Sequence, residues 1–189
     1  MLSKDLVVNI THLGYLDSQS KGVVFFGNKR KIEKSGEKIN DFIIPSESNP
    51  IRGRHFMIHY CMESQNYYIR DLGIGSGVYI KLEYSYKLTS DILVKIGESH
   101  LYFRIVLSES SYPNLLLTVF CKDTKNYCFY AQEQHISPIK IGRANDCDIC
   151  IEDMMISKYQ ACILYSHSKG WMLIDGNLIK QRPSTNGAW

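Results

Sequence analysis

The 189-residue chain is 44% hydrophobic and 22% charged, which excludes a disordered tail, and no stretch approaches the roughly 20 consecutive apolar residues that span a bilayer. Its net charge of +3 and pI near 8.4 are too mild for a nucleic-acid-binding surface, which requires a domain pI above about 9 with clustered Lys/Arg. The opening MLSKDLVVNITHLGYLD has neither a long apolar run nor a small-residue cleavage site, so no secretory signal is expected and the cytosol is the expected address.

Short runs rich in Val, Ile, Tyr and Phe follow one another along the chain, separated by turn residues or charges, and read as β-strands. In order they are LVVNI (6–10), GVVFF (22–26), DFIIP (41–45), HFMIHYCM (55–62), YYIRDL (67–72), GVYIKL (77–82), ILVKIG (92–97) and HLYFRIVL (100–107). The second half continues with LLLTVF (115–120), YCFYAQ (127–132), SPIKIG (137–142), CDICI (147–151), YQACILYS (159–166) and GWMLIDG (170–176). No segment has a convincing helical period. Many short strands with polar turns predict an all-β sandwich or barrel.

Three features that suggest other chemistry have simpler explanations. The run GNKRKIEK (27–34) is broken by an isoleucine and followed by acids, which fits a solvated hairpin. Cys147 and Cys150 form a C-x-x-C, but a closed zinc site needs four ligands and a redox pair opens a helix, whereas Asp-Cys-Asp-Ile-Cys-Ile alternates like a strand. The glycines of GIGSG (73–77) lead straight into VYIKL with no helix after them, so they mark a hairpin turn, not a nucleotide loop. The six histidines show no Ser-His or Cys-His signature, His59 alternates with Met57 and Cys61 like a sheet residue, and no enzyme, metal or cofactor is expected.

Laying the halves over each other exposes an internal repeat: Asn40–Ile80 reads against Cys147–Trp189. Each copy runs strand, loop, strand, loop, an aromatic strand ending in Asp, then a Ser/Asn-Gly turn. The join is expected in Ser108–Asn114, giving modules at 1–110 and 111–189.

The second copy contains Ile-Gly-Arg at 141–143, Asp-Ile-Cys-Ile at 148–151, Ile-Ser-Lys-Tyr-Gln-Ala at 156–161, Trp-Met-Leu-Ile-Asp at 171–175 and Ser-Thr-Asn-Gly at 184–187. In that order and spacing the series resembles the forkhead-associated (FHA) domain, whose pattern is Gly-Arg, Ser-x-x-His, then Asn-Gly, each in a loop between strands. The resemblance implies two tandem FHA-like β-sandwiches whose end loops bind a phosphothreonine peptide. A phosphate dianion needs charged, multi-donor partners. Arg143 offers a planar fork, Ser157 a hydroxyl donor and Lys158 a compact cation, with Gly142 leaving room for close backbone approach. In the family, residues at the Thr185 and Asn186 positions grip the peptide, and Gly187 completes that turn. The family's His is Gln160 here, whose amide can make the same bracing bonds.

The first copy departs further. His55 stands at the brace position, but Arg52 replaces the serine, Ser76-Gly77 replaces Asn-Gly, and counting back from Asp41 puts Gly36-Glu37 at Gly-Arg. A phosphate would meet a like charge there, so this copy is expected to dock partners without reading phosphate. After the first copy's GSGVY, residues 80–107 hold further strand-like runs, whereas nothing follows NGAW. The second sandwich is therefore expected to lack its last strands and to be completed by more chain or by another chain.

The function these readings imply is a non-catalytic protein–protein scaffold or adaptor, partnered by phosphothreonine-bearing proteins within a larger complex, with no nucleic acid and no membrane. Two alternatives stay open: a structural component that binds no phosphate, and a targeting segment of a longer kinase or cyclase. The Lys-, Ile-, Tyr- and Asn-rich composition, usual in AT-rich protist genomes where FHA repeats are frequent, adds a cilium or cytoskeletal setting.

Overall fold

The computed structural model describes residues 8–14, 22–30, 35–44, 53–74, 77–83, 85–107, 112–131, 137–178 and 180–189. The chain divides into two compact units, Met1–Val78 and Tyr79–Trp189. Every element among the described residues is a strand or a turn, as the β-branched and aromatic runs predict.

The first unit holds one sheet of β1 (Val23–Gly27), β2 (Phe42–Ile43), β3 (Arg54–Cys61) and β4 (Asn66–Asp71), in the order β2-β1-β3-β4. β1 runs parallel to β2 and antiparallel to β3, with a bulge between Phe26 and Gly27. Phe26 stacks on Phe42 and Phe56 with ring centroids 5.1 and 4.5 Å away, which anchors the three strands through apolar contact. β3 is half-buried along its length and β4 is exposed along its length.

The second unit is a two-sheet sandwich. One sheet has the order β11-β10-β12-β13-β5, from β5 (Ser85–Lys87), β10 (Ile139–Gly142), β11 (Ile149–Cys150), β12 (Ala161–Ser166) and β13 (Gly170–Asp175). The other has the order β6-β7-β8-β9, from β6 (Ile92–Ile96), β7 (Ser99–Leu107), β8 (Pro113–Phe120) and β9 (Lys125–Phe129). Alternate residues of both sheets meet in one core: Ile139, Ile141, Ile163, Trp171 and Leu173 from the first, Val94, Leu101, Phe103, Leu115 and Leu117 from the second. Each large side chain buried this way contributes about 1.5–3 kcal/mol. The Trp171 indole, buried among them, donates to the Pro113 carbonyl at 2.8 Å, so its polar edge is satisfied.

The structure places residues 79–107 differently from the sequence expectation. The expected boundary at 110/111 lies outside the described residues, but the strands on either side of it, β7 and β8, pair from His100↔Phe120 to Leu107↔Pro113 in one sheet. The strands expected to be missing from the second sandwich are supplied by β5, β6 and β7. Even the closing residues are paired, since Leu82 N donates to Ala188 O at 2.7 Å and Trp189 exchanges main-chain bonds of 3.0 and 2.7 Å with Lys95. A strand pattern tells which face a residue buries, not which sheet receives it, and loop-closure entropy grows too slowly with length to decide between receivers. β5 was not among the expected strands, being short and exposed, while GVYIKL forms no strand, and of LVVNI residues 8–10 form none and residues 6 and 7 lie outside the described residues.

Both units contain the same hydrogen-bonded frame. Phe25 N donates to Asp41 Oδ2 at 2.8 Å as Lys140 N does to Asp148 Oδ2 at 2.7 Å. Ile44 N donates to Gly27 O at 2.8 Å as Ile151 N does to Gly142 O at 2.9 Å, and Leu72 N to His55 O at 2.9 Å as Gly176 N to Gln160 O at 2.7 Å. A Cβ on Gly27 would lie 2.0 Å from Gly53 O, and one on Gly142 2.1 Å from Lys158 O. Gly27-Asn28, and not Gly36-Glu37, therefore stands where Gly142-Arg143 stands. Counting back from the aspartate failed because the loop from Asn28 to Asp41 is longer than that from Arg143 to Asp148.

Candidate functional site

The candidate residues converge on a three-residue segment, Met155-Ile156-Ser157, in the loop between β11 and β12. Arg143 directly follows β10. Its main-chain N donates to Ser157 O at 3.2 Å and its side-chain Nε to Ile156 O at 2.9 Å. These bonds fix the base of the guanidinium and leave its two terminal nitrogens without a partner among the described residues, on an exposed side chain. The close pass of Gly142 against Lys158 brings the two loops together, and only a residue without a Cβ permits it.

From the other side comes the turn after β13. Thr185 N donates to Ser157 Oγ at 3.0 Å, and Ser157 Oγ donates to Thr185 Oγ1 at 3.2 Å. Thr185 Oγ1 thus keeps its own hydrogen for a further acceptor. Asn186 Nδ2 donates to Met155 O at 2.7 Å, and Asn186 O accepts from the Trp189 indole at 3.0 Å. Gly187 carries φ +80°, a left-handed conformation that glycine adopts without penalty.

Gln160 lies behind this surface, fully buried. Its Oε1 accepts from Ser157 N at 2.9 Å, and its Nε2 donates to Ser184 Oγ and Gly187 O, both at 2.8 Å. Ser184 in turn is held by Asp175, its N donating to Oδ2 at 3.1 Å and its Oγ to Oδ1 at 2.7 Å. The amide thus uses its acceptor and both donors, as a buried polar group must. In the first unit His55 instead contacts Ile74 O through Nδ1 at 2.8 Å; Arg52 and Ser76 lie outside the described residues. Asn28 has no guanidinium to offer and its side chain accepts from Gly53 N at 2.9 Å, while Arg54 covers the Phe25 ring at 4.0 Å and donates to Ile39 O at 2.8 Å.

The second unit's loops carry charges of both signs. Lys158 is exposed with no partner for its ammonium among the described residues. Two carboxylates close in sequence are engaged, since Asp153 accepts from Met155 N at 2.8 Å and Glu98 N at 2.9 Å, and Asp146 accepts from the Tyr159 hydroxyl and pairs with Lys140 at 3.7 Å, while Glu152 is exposed on the same loop. That carboxylate, placed to accept, raises the Tyr159 phenol above its ordinary pKa.

Sequence reasoning missed a cavity of about 450 Å³ that begins at Asn186 and Met155 and is lined further by Tyr79, Lys95 and Trp189. The Lys81 and Lys95 ammonium groups lie over the Trp189 and Tyr79 rings at 5.6 and 5.8 Å, within cation–π range. No sequence signal could have found it, because its walls come from the ends of a segment and a turn more than eighty residues apart. Among the described residues no His, Cys, Asp or Glu cluster is arranged to hold a metal. The Cys147 thiol contacts Lys158 O at 3.3 Å, and its burial raises its pKa. No helix is long and apolar enough to cross a membrane among those residues.

Comparison with curated proteins and with solved structures found no match to this chain. A family model does match, over residues 139–189, and it is that of the FHA domain, a non-catalytic phosphopeptide-binding module of protein–protein interaction.

Proposed function

We propose that the second unit reads phosphothreonine in a partner protein and that the chain serves as a scaffold or adaptor. The observation carrying this is the convergence on Met155-Ile156-Ser157, whose main chain and hydroxyl bond Arg143, Thr185 and Asn186 together. In this reading the two terminal nitrogens of Arg143, held in place through its Nε, and the Lys158 ammonium bind the phosphate, and the Ser157 hydroxyl joins them by turning its hydrogen from Thr185 Oγ1 to the ligand. Thr185 supplies a further hydroxyl and Asn186 brackets the peptide main chain. Gly142, Gln160 and Gly187 support the loops without touching ligand.

The first unit, in this reading, is a related module without a phosphate site. Asn28 at the Arg143 position supplies no fixed charge, and loss of the charged fork removes the strongest of the phosphate contacts. It contributes docking surface inside a larger assembly.

Fluorescence anisotropy with labelled phosphothreonine peptide pools tests the proposal. Binding to the phosphorylated pool and not to its unphosphorylated twin is expected, with Arg143→Ala weakening it about tenfold to a hundredfold. No preference for the phosphorylated pool, or an unchanged affinity in the variant, sinks the reading.

A further inference from the structure

The two frames differ at one edge. In the second unit the outer edge of β13 is taken by β5: Leu173 pairs with Tyr86, and Leu88 N donates to Trp171 O at 2.9 Å. In an antiparallel pair the main-chain groups of alternate residues face the partner. Those of Trp171 and Leu173 face β5. Asp71 pairs with Phe56 as Asp175 pairs with Ala161, so Tyr67 and Ile69 of β4 stand where Trp171 and Leu173 stand in β13. Leu72 N bonds inward to His55 O, and by the same alternation the main-chain groups of Tyr67, Ile69 and Asp71 face outward. Among the described residues no strand pairs with them.

The middle of this edge is apolar. Tyr67, Tyr68 and Ile69 are 50, 44 and 46% exposed in succession. Open edges are ordinarily protected by charged side chains, lysine above all, or by proline, a bulge or shortness, and β4 has only the charges of Arg70 and Asp71 at one end. Arg70 is its one cation.

We propose that β4 is a dimerisation edge and that its occupant is β4 of a second copy of this chain, paired antiparallel about a two-fold axis at Ile69. That register matches outward-facing residues with outward-facing residues: Ile69 faces the second copy's Ile69, and Tyr67 faces the second copy's Asp71, each pair exchanging both its main-chain bonds. Between them Tyr68 stands opposite the second copy's Arg70, a cation against an aromatic face, twice by symmetry. No like charges oppose one another, and the Asp71 carboxylate, already accepting from Gly73 N and Val78 N, is turned to its own turn. Edge pairing joins two four-stranded sheets into one, as strand addition does elsewhere. The dimer would present two phosphopeptide sites, so a partner carrying two phosphothreonines would bind with avidity.

Sedimentation equilibrium of the full chain across about 1 µM to 500 µM tests this, a range chosen because an interface this small gives a weak, micromolar-range association. The expected result is a weight-average mass rising from 21.8 kDa toward twice that value. Ile69→Pro removes only an outward-facing N–H, which an edge strand tolerates, and should weaken association at least about tenfold. Ile69→Lys keeps the main chain intact and sets like charges opposite one another, so it should do the same without any backbone change. Hydrogen exchange at Tyr67 and Ile69 should slow with concentration. A chain that stays monomeric throughout overturns the proposal. So does a dimer indifferent to both variants, or exchange protection of Tyr67 and Ile69 already present in the dilute monomer.

Discussion

Gln160 and Ser184 are joined by a hydrogen bond of 2.8 Å from a side-chain amide to a hydroxyl, and through it the loop before β12 is tied to the turn after β13. The same amide reaches Gly187 O, and its oxygen accepts from Ser157 N. Gln160→Leu fills similar volume but strands the Ser157 N–H and the Gly187 carbonyl in a buried place. A loss of about 3 kcal/mol of unfolding free energy is expected in urea titration, with phosphopeptide affinity falling alongside. Gln160→His keeps one acceptor and one donor and must drop one of the three bonds, for a cost of about 1 kcal/mol. If the leucine variant is as stable as the parent, the brace is not a brace.

Gly142 makes a harder demand. An added methyl group would lie 2.1 Å from Lys158 O and 2.8 Å from Lys158 C, and both are backbone atoms that no rotamer change can move. Gly142→Ala must therefore part β10 from the 157–158 loop, at about 3 kcal/mol or more. Since Arg143 N and Ala144 N bond to that same loop at 3.2 Å, the groups proposed to bind phosphate separate with it. Calorimetry of the variant with phosphopeptide checks both effects, and Gly27→Ala should destabilise the first unit for the same reason while leaving peptide affinity unchanged.

The strands were legible because alternation and β-branched content are local properties: β1–β4 and all of β6–β13 arise where apolar and aromatic runs predict them. The candidate residues were legible as a motif in sequence, and the fold brings Arg143, Ser157, Thr185 and Asn186 onto one short loop segment. What stayed hidden is pairing. Nothing in ILVKIG or HLYFRIVL states which sheet will receive it, and the structure gives both to the second unit. Loop length misled for a related reason: Gly36 looked equivalent to Gly142 until the hydrogen bonds to Gly53 and Lys158 showed that Gly27 is.

Buried thiols set an alkaline limit on stability. Burial raises the Cys162 pKa above its ordinary 9.0, and Cys147 shifts in the same direction for the same cause. The folded state holds these protons where the unfolded chain releases them. The stabilisation is complete below the unfolded value and is lost as pH rises from there through the folded one. Denaturant titrations at pH 7 and pH 10 should show stability falling at the higher pH, and Cys162→Ala should flatten that fall. Iodoacetamide at pH 8 should modify exposed Cys128 well before Cys147 or Cys162, because the thiolate is the reactive form and access limits the rest.

Phe103 tests where residues 79–107 belong. It lies on β7, is fully buried, and shares one core with Leu117, Ile163 and Trp171. Phe103→Ala should cost about 3–5 kcal/mol through lost burial and the cavity left behind. The penalty should fall on the sandwich that contains it: hydrogen exchange should quicken across β12 and β13, at Ile163 and Leu173, while β1 and β3 keep their protection. Phosphopeptide affinity should weaken too, since the loops bearing Ser157 and Thr185 spring from those strands. Should β1 and β3 lose protection instead, residues 79–107 would close the first unit and the pairing described for β7 and β8 would not be the one adopted in solution.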